Sequence, residues 1–562
     1  MIEVARDTLL FVLILGGLAA PFLSRLTRYA PPERVVLALA ASLAAVYLWS
    51  TVIYLTRMDP RWHWMLVPAG LLGFILSRNE LRALGREPSV RAAITGWLLV
   101  AAWCLGLTAV ITSYAGGRWA GDWYEHFERA CFFLEQWPAE YRFIGTYALP
   151  ARPPLANLVT GALLALGSHD YARYQVITCL LATLVYFPLL AICRMFGGGA
   201  LAAALVAPAL MLNPLFVQNA TFPWTKLPAA FFVLATIPLL VRSLREPADR
   251  WHLPAAAGLL AAGMLTHYSS AVWLLALAVG WLLASGSSKS LTTSARPLLL
   301  AGLVSALLLV TWFGWALARY GPGSTLGSNS SANAAQRLSV GDATTVGVRN
   351  LINTIVPHPL LGTTEPVLLQ SNQAAVVADW FFHLYQETLP LAWGTAGLGL
   401  LLVAWRRCGP PGSERLFWLS ALPLAGFLGV ITHTQPSAWG LTHISLQPLV
   451  LLGLAWLAAR LPEIWRGLPG WSRPVLLALG LMDFVGGIVM HFVVQHGAAA
   501  RIAEHSHVAR TNYAGKLRLN QPFLADTLAG PGWAIILLLA TLLGLACWRV
   551  SAARVHATLP SS

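Results

Sequence analysis

Charge is scarce in this sequence. Of its 562 residues only 11% are Asp, Glu, Lys or Arg, while 57% are apolar and the mean hydropathy is +0.64. A chain with so few charges cannot cover a surface facing water, which excludes a soluble globular protein and makes lipid the main solvent. Cysteine is also sparse. Of the six, only Cys131 lies in a segment expected outside the membrane, so no external disulfide is available and no CxxC metal spacing occurs. No internal repeat is visible, and no polar stretch is long enough to fold around a core of its own.

What is present is a series of apolar runs of about 16 to 22 residues, the length that crosses or nearly crosses a bilayer. They fall near 8–24, 35–56, 62–77, 92–114, 173–193, 200–218, 226–241, 254–268, 270–285, 297–318, 389–405, 416–434, 442–460, 474–494 and 532–549. The runs are continuous rather than alternating, so helices satisfy their backbones and a β-barrel does not. The expectation is an all-α polytopic membrane protein of about 15 transmembrane helices, with external juxtamembrane helices and loops.

Short Arg-rich loops at 77–91, 241–250, 405–415, 460–473 and 549–554 read as cytoplasmic. They share one side only if 253–285 forms two short helices turning at His267. On that reading the cytoplasmic segments carry 21 Lys and Arg against 7 acids, and everything else carries 16 against 16. The net charge of +14 is then a matter of topology and anionic lipid headgroups, and nucleic acid is not implied. The first run lacks a strongly basic leader and reads as a retained helix with its N-terminus outside.

Four regions follow: a three-helix segment at 1–91, a membrane core at 92–318 containing a first external loop at 115–172, a large external loop at 319–388, and C-terminal helices at 389–562 with an external loop at 495–531. External loops of this length usually carry function. The first contains GDWYEHFERACFFLEQWP at 121–138. From Trp123 to Trp137 its spacing is helical, and Asp122, Glu125, His126 and Arg129 share one face at offsets of three, four and seven. Two readings stay open: an N-cap Asp on the polar face of an interfacial helix, or a carboxylate held as general base or metal ligand. The Pro-Pro helix of ARPPLANLVTGALLALGSHDYARYQ (151–175) is laid in the interface, which leaves Arg152 and Arg173 external.

The order of span, external Asp-bearing loop, PPL helix, GSHDYARYQ before a span, and the polar turn of NATFPWTKLPAAFFVLA (219–235) resembles the GT-C superfamily of membrane glycosyltransferases. That superfamily includes the protein O-mannosyltransferases and the aminoarabinose transferase of lipid A. The resemblance covers about 92–285. It implies an acceptor-activating Asp, here Asp122, and a polyprenyl-phosphate-linked sugar as donor. It also implies a glycan, lipid or protein acceptor, and a bacterial inner membrane with the active site on the external face. The sequence departs from the pattern in placing Lys226 where many members have an acid. This weakens a two-carboxylate metal site and favours direct phosphate contact, so a divalent metal stays open. Three additional spans also precede the family core.

Transfer from a lipid phosphate needs a base, cations for the departing phosphate and an apolar path for the prenyl tail. Asp122 can be the base, with Glu125 beside it. Arg152, Arg173, Lys226 and His267 can meet the phosphate, and Glu125 and His126 can bind the acceptor or orient Asp122, although for each arginine taken alone headgroup snorkelling ranks ahead of phosphate contact. His433, Gln435 and His443 form a further polar turn, EHSH at 504–507 has near metal-ligand spacing, and Asp483 sits mid-span as a costly acid or a buried hydrogen-bond acceptor. The 24 tryptophans, including Trp119, Trp123, Trp137, Trp224, Trp380 and Trp439, read chiefly as an interfacial belt. A transporter or flippase would place its charges at the midplane of paired halves, and a non-catalytic lipid-binding scaffold would not need Asp122.

Overall fold

A computed structural model describes residues 1–112, 114, 122–144, 147–286, 295–328, 339–361, 384–407, 414–433, 440–492 and 522–556. Within them the chain is all-helical, and its one β-type pairing is an isolated bridge between Phe143 and Tyr147. The N-terminal helices are α1 (Ile2–Gly17), α2 (Pro31–Leu55), α3 (Leu66–Leu76) and α4 (Arg78–Arg86). Then come α5 (Pro88–Thr108), α6 (Asp122–Glu135), α7 (Leu155–Leu164), α8 (Tyr171–Thr183), α9 (Tyr186–Met195), α10 (Ala200–Leu212), α11 (Pro214–Thr221) and α12 (Lys226–Arg245). A third group holds α13 (His252–Thr266), α14 (Ser270–Gly286), α15 (Ala295–Leu309), α16 (Trp315–Gly327) and α17 (Val340–Ile355). The last are α18 (Thr395–Arg407), α19 (Arg415–Ile431), α20 (Gln447–Gly467), α21 (Ser472–Phe492) and α22 (Ala525–His556).

This is a multi-pass membrane protein. Among the described residues seven helical segments are long and apolar enough to cross a bilayer, and nine if each of two bent pairs counts as one span. The bent pairs are α1 with the turn at Ala20–Leu26, at 43°, and α10 with α11, at 68°. Several of the fifteen expected runs are shorter helices: α13, α14 and α19 fall in the 15 to 17 residue range, and 62–77 holds only the 11 residues of α3. A composition window reads apolar residues and misses where turns interrupt them.

The expected interruption at 253–285 is present. Helix α13 ends at Thr266, His267 takes an extended conformation, and α14 begins at Ser270. The continuous stretch Tyr171–Met195 and α12 are the most enclosed of the spanning segments, and α15, α16 and α22 the most open. Helix α7 is buried along all ten of its residues, Asn157 and Thr160 included. Close approach fixes α1 on α3: a Cβ on Gly73 would lie 2.0 Å from the Gly17 carbonyl oxygen, so only glycine fits there.

The ion pairs respect the sequence topology. Arg28 meets Asp249, Arg242 meets Glu33 and Arg245 meets Glu414, all within loops read as cytoplasmic. Arg173 meets Asp7, Arg152 meets Glu125 and Arg319 meets Glu140, all within segments read as external. No ion pair among the described residues joins the two sets.

Candidate active site

Helix α6 begins at Asp122 and carries the expected polar face, but that face is not solvated. Glu125, His126 and Arg129 are buried, as are the apolar residues around them. A polar helix face turned inward must be satisfied by partners. Arg129 donates Nε to Glu125 Oε1 at 2.8 Å, Nη1 to the Leu149 carbonyl at 2.9 Å and Nη2 to the Ala148 carbonyl at 3.2 Å, and it lies 4.0 Å from the Phe143 ring centroid. Arg152 reaches Glu125 Oε2 at 3.5 Å and stacks over Tyr147. The segment 147–152 is thus drawn onto α6 by its own carbonyls and by one arginine.

Two further elements arrive at the same place. Tyr268 donates its hydroxyl to the Pro150 carbonyl at 2.8 Å, tying the break between α13 and α14 to this segment and setting His267 in the electrostatic neighbourhood of Arg152, His126 and Lys226. The His267 Nδ1 accepts from the Ser269 amide at 3.1 Å, so its ring proton sits on Nε2. Lys226 opens α12, with Nζ 3.6 Å above the centre of the Trp224 ring and with Asp122, Glu387 and Arg152 as its charged neighbours. Six of the seven expected residues therefore converge: Asp122, Glu125, His126, Arg152, Lys226 and His267.

Arg173 does not join them. Its Nε donates to Asp7 at 3.0 Å, and its other nitrogens donate to the carbonyls of Leu163, Leu164 and Ser168 at the end of α7. It closes a helix C-terminus, where a cation also meets the negative end of the helix dipole. Neither Arg173 nor Arg152 snorkels.

The environment separates the two carboxylates. Burial pushes Asp122 up, with Glu125 adding to the rise and Arg152 and Lys226 opposing it. Burial acts on Glu125 in the same direction, yet Arg152, Arg129 and His126 outweigh it and hold the group at about 2. Asp122 is thus raised from its ordinary value while Glu125 is a permanent anion. His126, buried and hydrogen-bonded to Asn157 Oδ1 at 3.2 Å, is lowered to about 3 and is neutral.

Sequence reasoning passed over Glu387 and underused Trp224. Glu387 Oε1 lies 3.1 Å from His443 Nδ1, with both side chains fully buried, and the His443 ring packs on Trp224 at 5.1 Å between centroids. Gln218 and Asn219 on α11 hold Gln386, the residue before Glu387. A Cβ on Gly440 would lie 2.1 Å from the Glu387 carbonyl oxygen, so this junction also requires glycine. The signal for Glu387 was a lone acid just before a span, which resembles an ordinary loop charge. Trp123 and Trp224, assigned to the belt, are instead interior, whereas Trp119, Trp380, Trp439, Gln435 and EHSH lie outside the described residues. Asp483 accepts from Tyr385 at 3.0 Å, Thr395 at 2.9 Å and the Ala396 amide at 3.1 Å, which is the buried hydrogen-bond reading of that residue.

Among solved structures, the chain resembles ArnT and AglB. ArnT from Cupriavidus metallidurans bound to undecaprenyl phosphate gives a TM-score of 0.42 at 15% identity, covering 76% of this chain and 78% of that one. Its apo state gives 0.40 at 15%, covering 77% and 86%. The archaeal oligosaccharyltransferase AglB from Archaeoglobus fulgidus, in complex with an inhibitory peptide and a dolichol-phosphate, gives 0.38 at 13%, covering 75% and 56%. No family model and no curated protein matches the sequence. The chemistry below is argued from this chain's own residues.

Among the described residues no three His, Cys, Asp or Glu side chains gather as a metal-ligand group. Asp122 has Arg152 and Lys226 as charged neighbours, and Glu125 is already paired with Arg129 and Arg152. No step is routed through a divalent cation.

Proposed function

We propose that the protein is a membrane glycosyltransferase that moves a hexosyl or pentosyl group from a polyprenyl-phosphate donor to a hydroxyl-bearing acceptor on the external face of a bacterial inner membrane. The acceptor is a glycan, a lipid or a protein. The observation that carries this reading is the separation of the two carboxylates: burial raises Asp122 against the pull of Arg152 and Lys226, while Glu125, paired with Arg129 and Arg152, is locked one helical turn away. Titratable pairs pushed apart by their surroundings are how a single site divides acid-base labour.

In this reading the acceptor hydroxyl gives its proton to the Asp122 carboxylate as its oxygen bonds to the anomeric carbon. The bond between that carbon and the phosphate oxygen breaks, and the electron pair leaves with the polyprenyl phosphate. Lys226 and Arg152 are the cations placed to meet that phosphate, in a buried setting where charge contacts are strong. Arg152 is held in place by Glu125, and His126 and His267, both neutral, can hydrogen-bond to sugar or acceptor without adding charge. Snorkelling does not explain Arg152, because its side chain turns inward to Glu125.

The test uses the purified protein in liposomes with lipid-linked sugars extracted from membranes of the source organism, following sugar consumption and undecaprenyl phosphate binding. Asp122→Asn keeps shape and capping ability. It should lower transfer by about a hundredfold or more, the range for a positioned base, with binding retained. Near-normal transfer by this variant would sink the reading.

A further inference from the structure

The turn that follows α6 is stapled to α16 up to residue 320. Tyr320 donates its hydroxyl to the Ala139 carbonyl at 2.8 Å, and Arg319 meets Glu140 at 2.6 Å. The next residues are Gly321, Pro322 and Gly323. Gly321 has φ +74° and ψ 169°, a region that a residue with a side chain avoids, and it breaks the line of α16. At this kink lies a cavity of about 390 Å³, between Tyr141, Arg142 and Ala148 on one side and Tyr320, Ser324 and Ser328 on the other. Its volume is that of a small-ligand pocket, roughly 300 to 1,000 Å³. None of the six residues that converge at the candidate site lines it, yet the two share a wall. Glu128 of α6 accepts from the Tyr141 hydroxyl at 3.0 Å and the Ile144 amide at 2.7 Å, and the Ala148 carbonyl accepts from Arg129 at 3.2 Å. Ala148 precedes Arg152 by four residues, so their Cα atoms are at most about 14 Å apart.

The lining selects a ligand class. It holds no aliphatic side chain larger than alanine, which does not suit a prenyl or acyl tail, and Glu140 and Arg142 give it both signs of charge, which does not suit a phosphate. Two tyrosines fixed by their own hydroxyl bonds, beside serines, a carboxylate and a guanidinium, match a sugar ring, with C–H faces for the aromatics and hydroxyls that both donate and accept. We propose that this cavity docks a saccharide unit of the acceptor, which is therefore a glycan chain: one unit sits here while the reacting hydroxyl of another reaches Asp122. The inference rests on the functional reading of Asp122.

Gly323 lines the cavity, and a Cβ built on it meets no atom within 4 Å, so Gly323→Trp is a plug that leaves the backbone in place. Wild-type protein in nanodiscs, applied to a printed array of bacterial oligosaccharides, should bind a defined set of them, and the plug should weaken that binding by about tenfold or more through steric exclusion. Undecaprenyl phosphate affinity should stay within about threefold, as expected for a site that shares no ligand contact with the cavity. Arg142→Ala, at an exposed position, should weaken the same oligosaccharides by about three- to tenfold, and it decides alone if the plugged protein is not monodisperse. In the transfer assay, label recovered on the added oligosaccharide identifies a free glycan acceptor, and label confined to the membrane fraction but competed by that oligosaccharide identifies a glycan carried on lipid or protein. No array binding by wild type, unchanged binding by a folded plugged variant, or transfer that no bound oligosaccharide accepts or competes would overturn the proposal. So would loss of undecaprenyl phosphate binding in the plugged variant, which would give the cavity to the donor. Failure of the functional reading is seen separately, as normal transfer by Asp122→Asn, a variant that should bind the array as wild type does.

Discussion

Replacing Glu125 by Gln tests how firmly α6 is fixed to the segment 147–152. The carboxylate is fully buried between Arg129, at 2.7 Å, and Arg152, at 3.5 Å. A carboxyl held at about 2 rather than its ordinary 4.5 corresponds to about 3 kcal/mol of favourable interaction, at about 1.4 kcal/mol per tenfold. Breaking a buried pair from one side costs roughly 3 to 5 kcal/mol, because the remaining charge is stranded, and the two figures agree. The sign follows from linkage: a depressed carboxyl stabilises above its unfolded value and loses that contribution as pH falls from about 4.5 through about 2.

The effect is local, so the assay must be local. Amide hydrogen exchange at pH 7 on peptides covering 122–135 and 147–152 reads the opening of this junction directly. Three kcal/mol is roughly a hundredfold in an opening equilibrium. Glu125→Gln should therefore exchange about a hundredfold faster in these two segments, with peptides from α20 unchanged. Unaltered exchange at 122–135 would refute the argument that Glu125 is the anchor, and a uniform rise across the protein would show a global loss of stability instead.

Two other outcomes follow from the same charges. Lys226→Ala should weaken undecaprenyl phosphate binding by about ten- to a hundredfold, since a charge-assisted contact contributes roughly 1.5 to 3 kcal/mol. Equal affinity by native mass spectrometry would leave Lys226 as an anchor for α12. Transfer by wild-type protein should fall as pH drops through a single ionisation lying above the ordinary Asp value of 3.8, because Asp122 is raised while Glu125 at about 2 and His126 at about 3 titrate below that range. An acid limb of slope two in the log rate would contradict that assignment.

The sequence made the membrane class legible, and it named most of the residues that the fold brings together at the candidate site. A run of apolar residues is a direct consequence of lipid solvation, and the Arg bias gave a sidedness that the ion pairs respect. The helical spacing of Asp122, Glu125, His126 and Arg129 was readable because one period places them together. What those residues face was not readable. The carbonyls of Ala148 and Leu149 that hold Arg129 belong to an irregular segment, and irregular backbone leaves no periodic trace. Arg173 read like Arg152, both being arginines near a span end, and only the fold gives one to Glu125 and the other to the end of α7 and Asp7. Glu387 and His443 are 56 residues apart in sequence, and no local pattern joins them.

Why the carboxylate at 122 rather than that at 125 should do chemistry can be argued from helix geometry. The first residue of a helix has its side chain at the end of the element, where other chain segments can approach from several directions. Lys226 and Arg152 come from two other segments, and both favour the charged form of Asp122. A residue one turn further in looks across the helix surface, where its i+4 neighbour is the nearest partner, and Glu125 finds Arg129 there. The inner position is thus saturated by Arg129 of its own helix and by Arg152, and saturation removes its capacity to accept a proton near neutral pH. The outer position draws its cations from elsewhere in the chain, and they can turn to an incoming phosphate without unmaking α6. An anion that holds the scaffold and an anion that exchanges protons make opposite demands on a pKa, and three residues of one helix are enough to meet both.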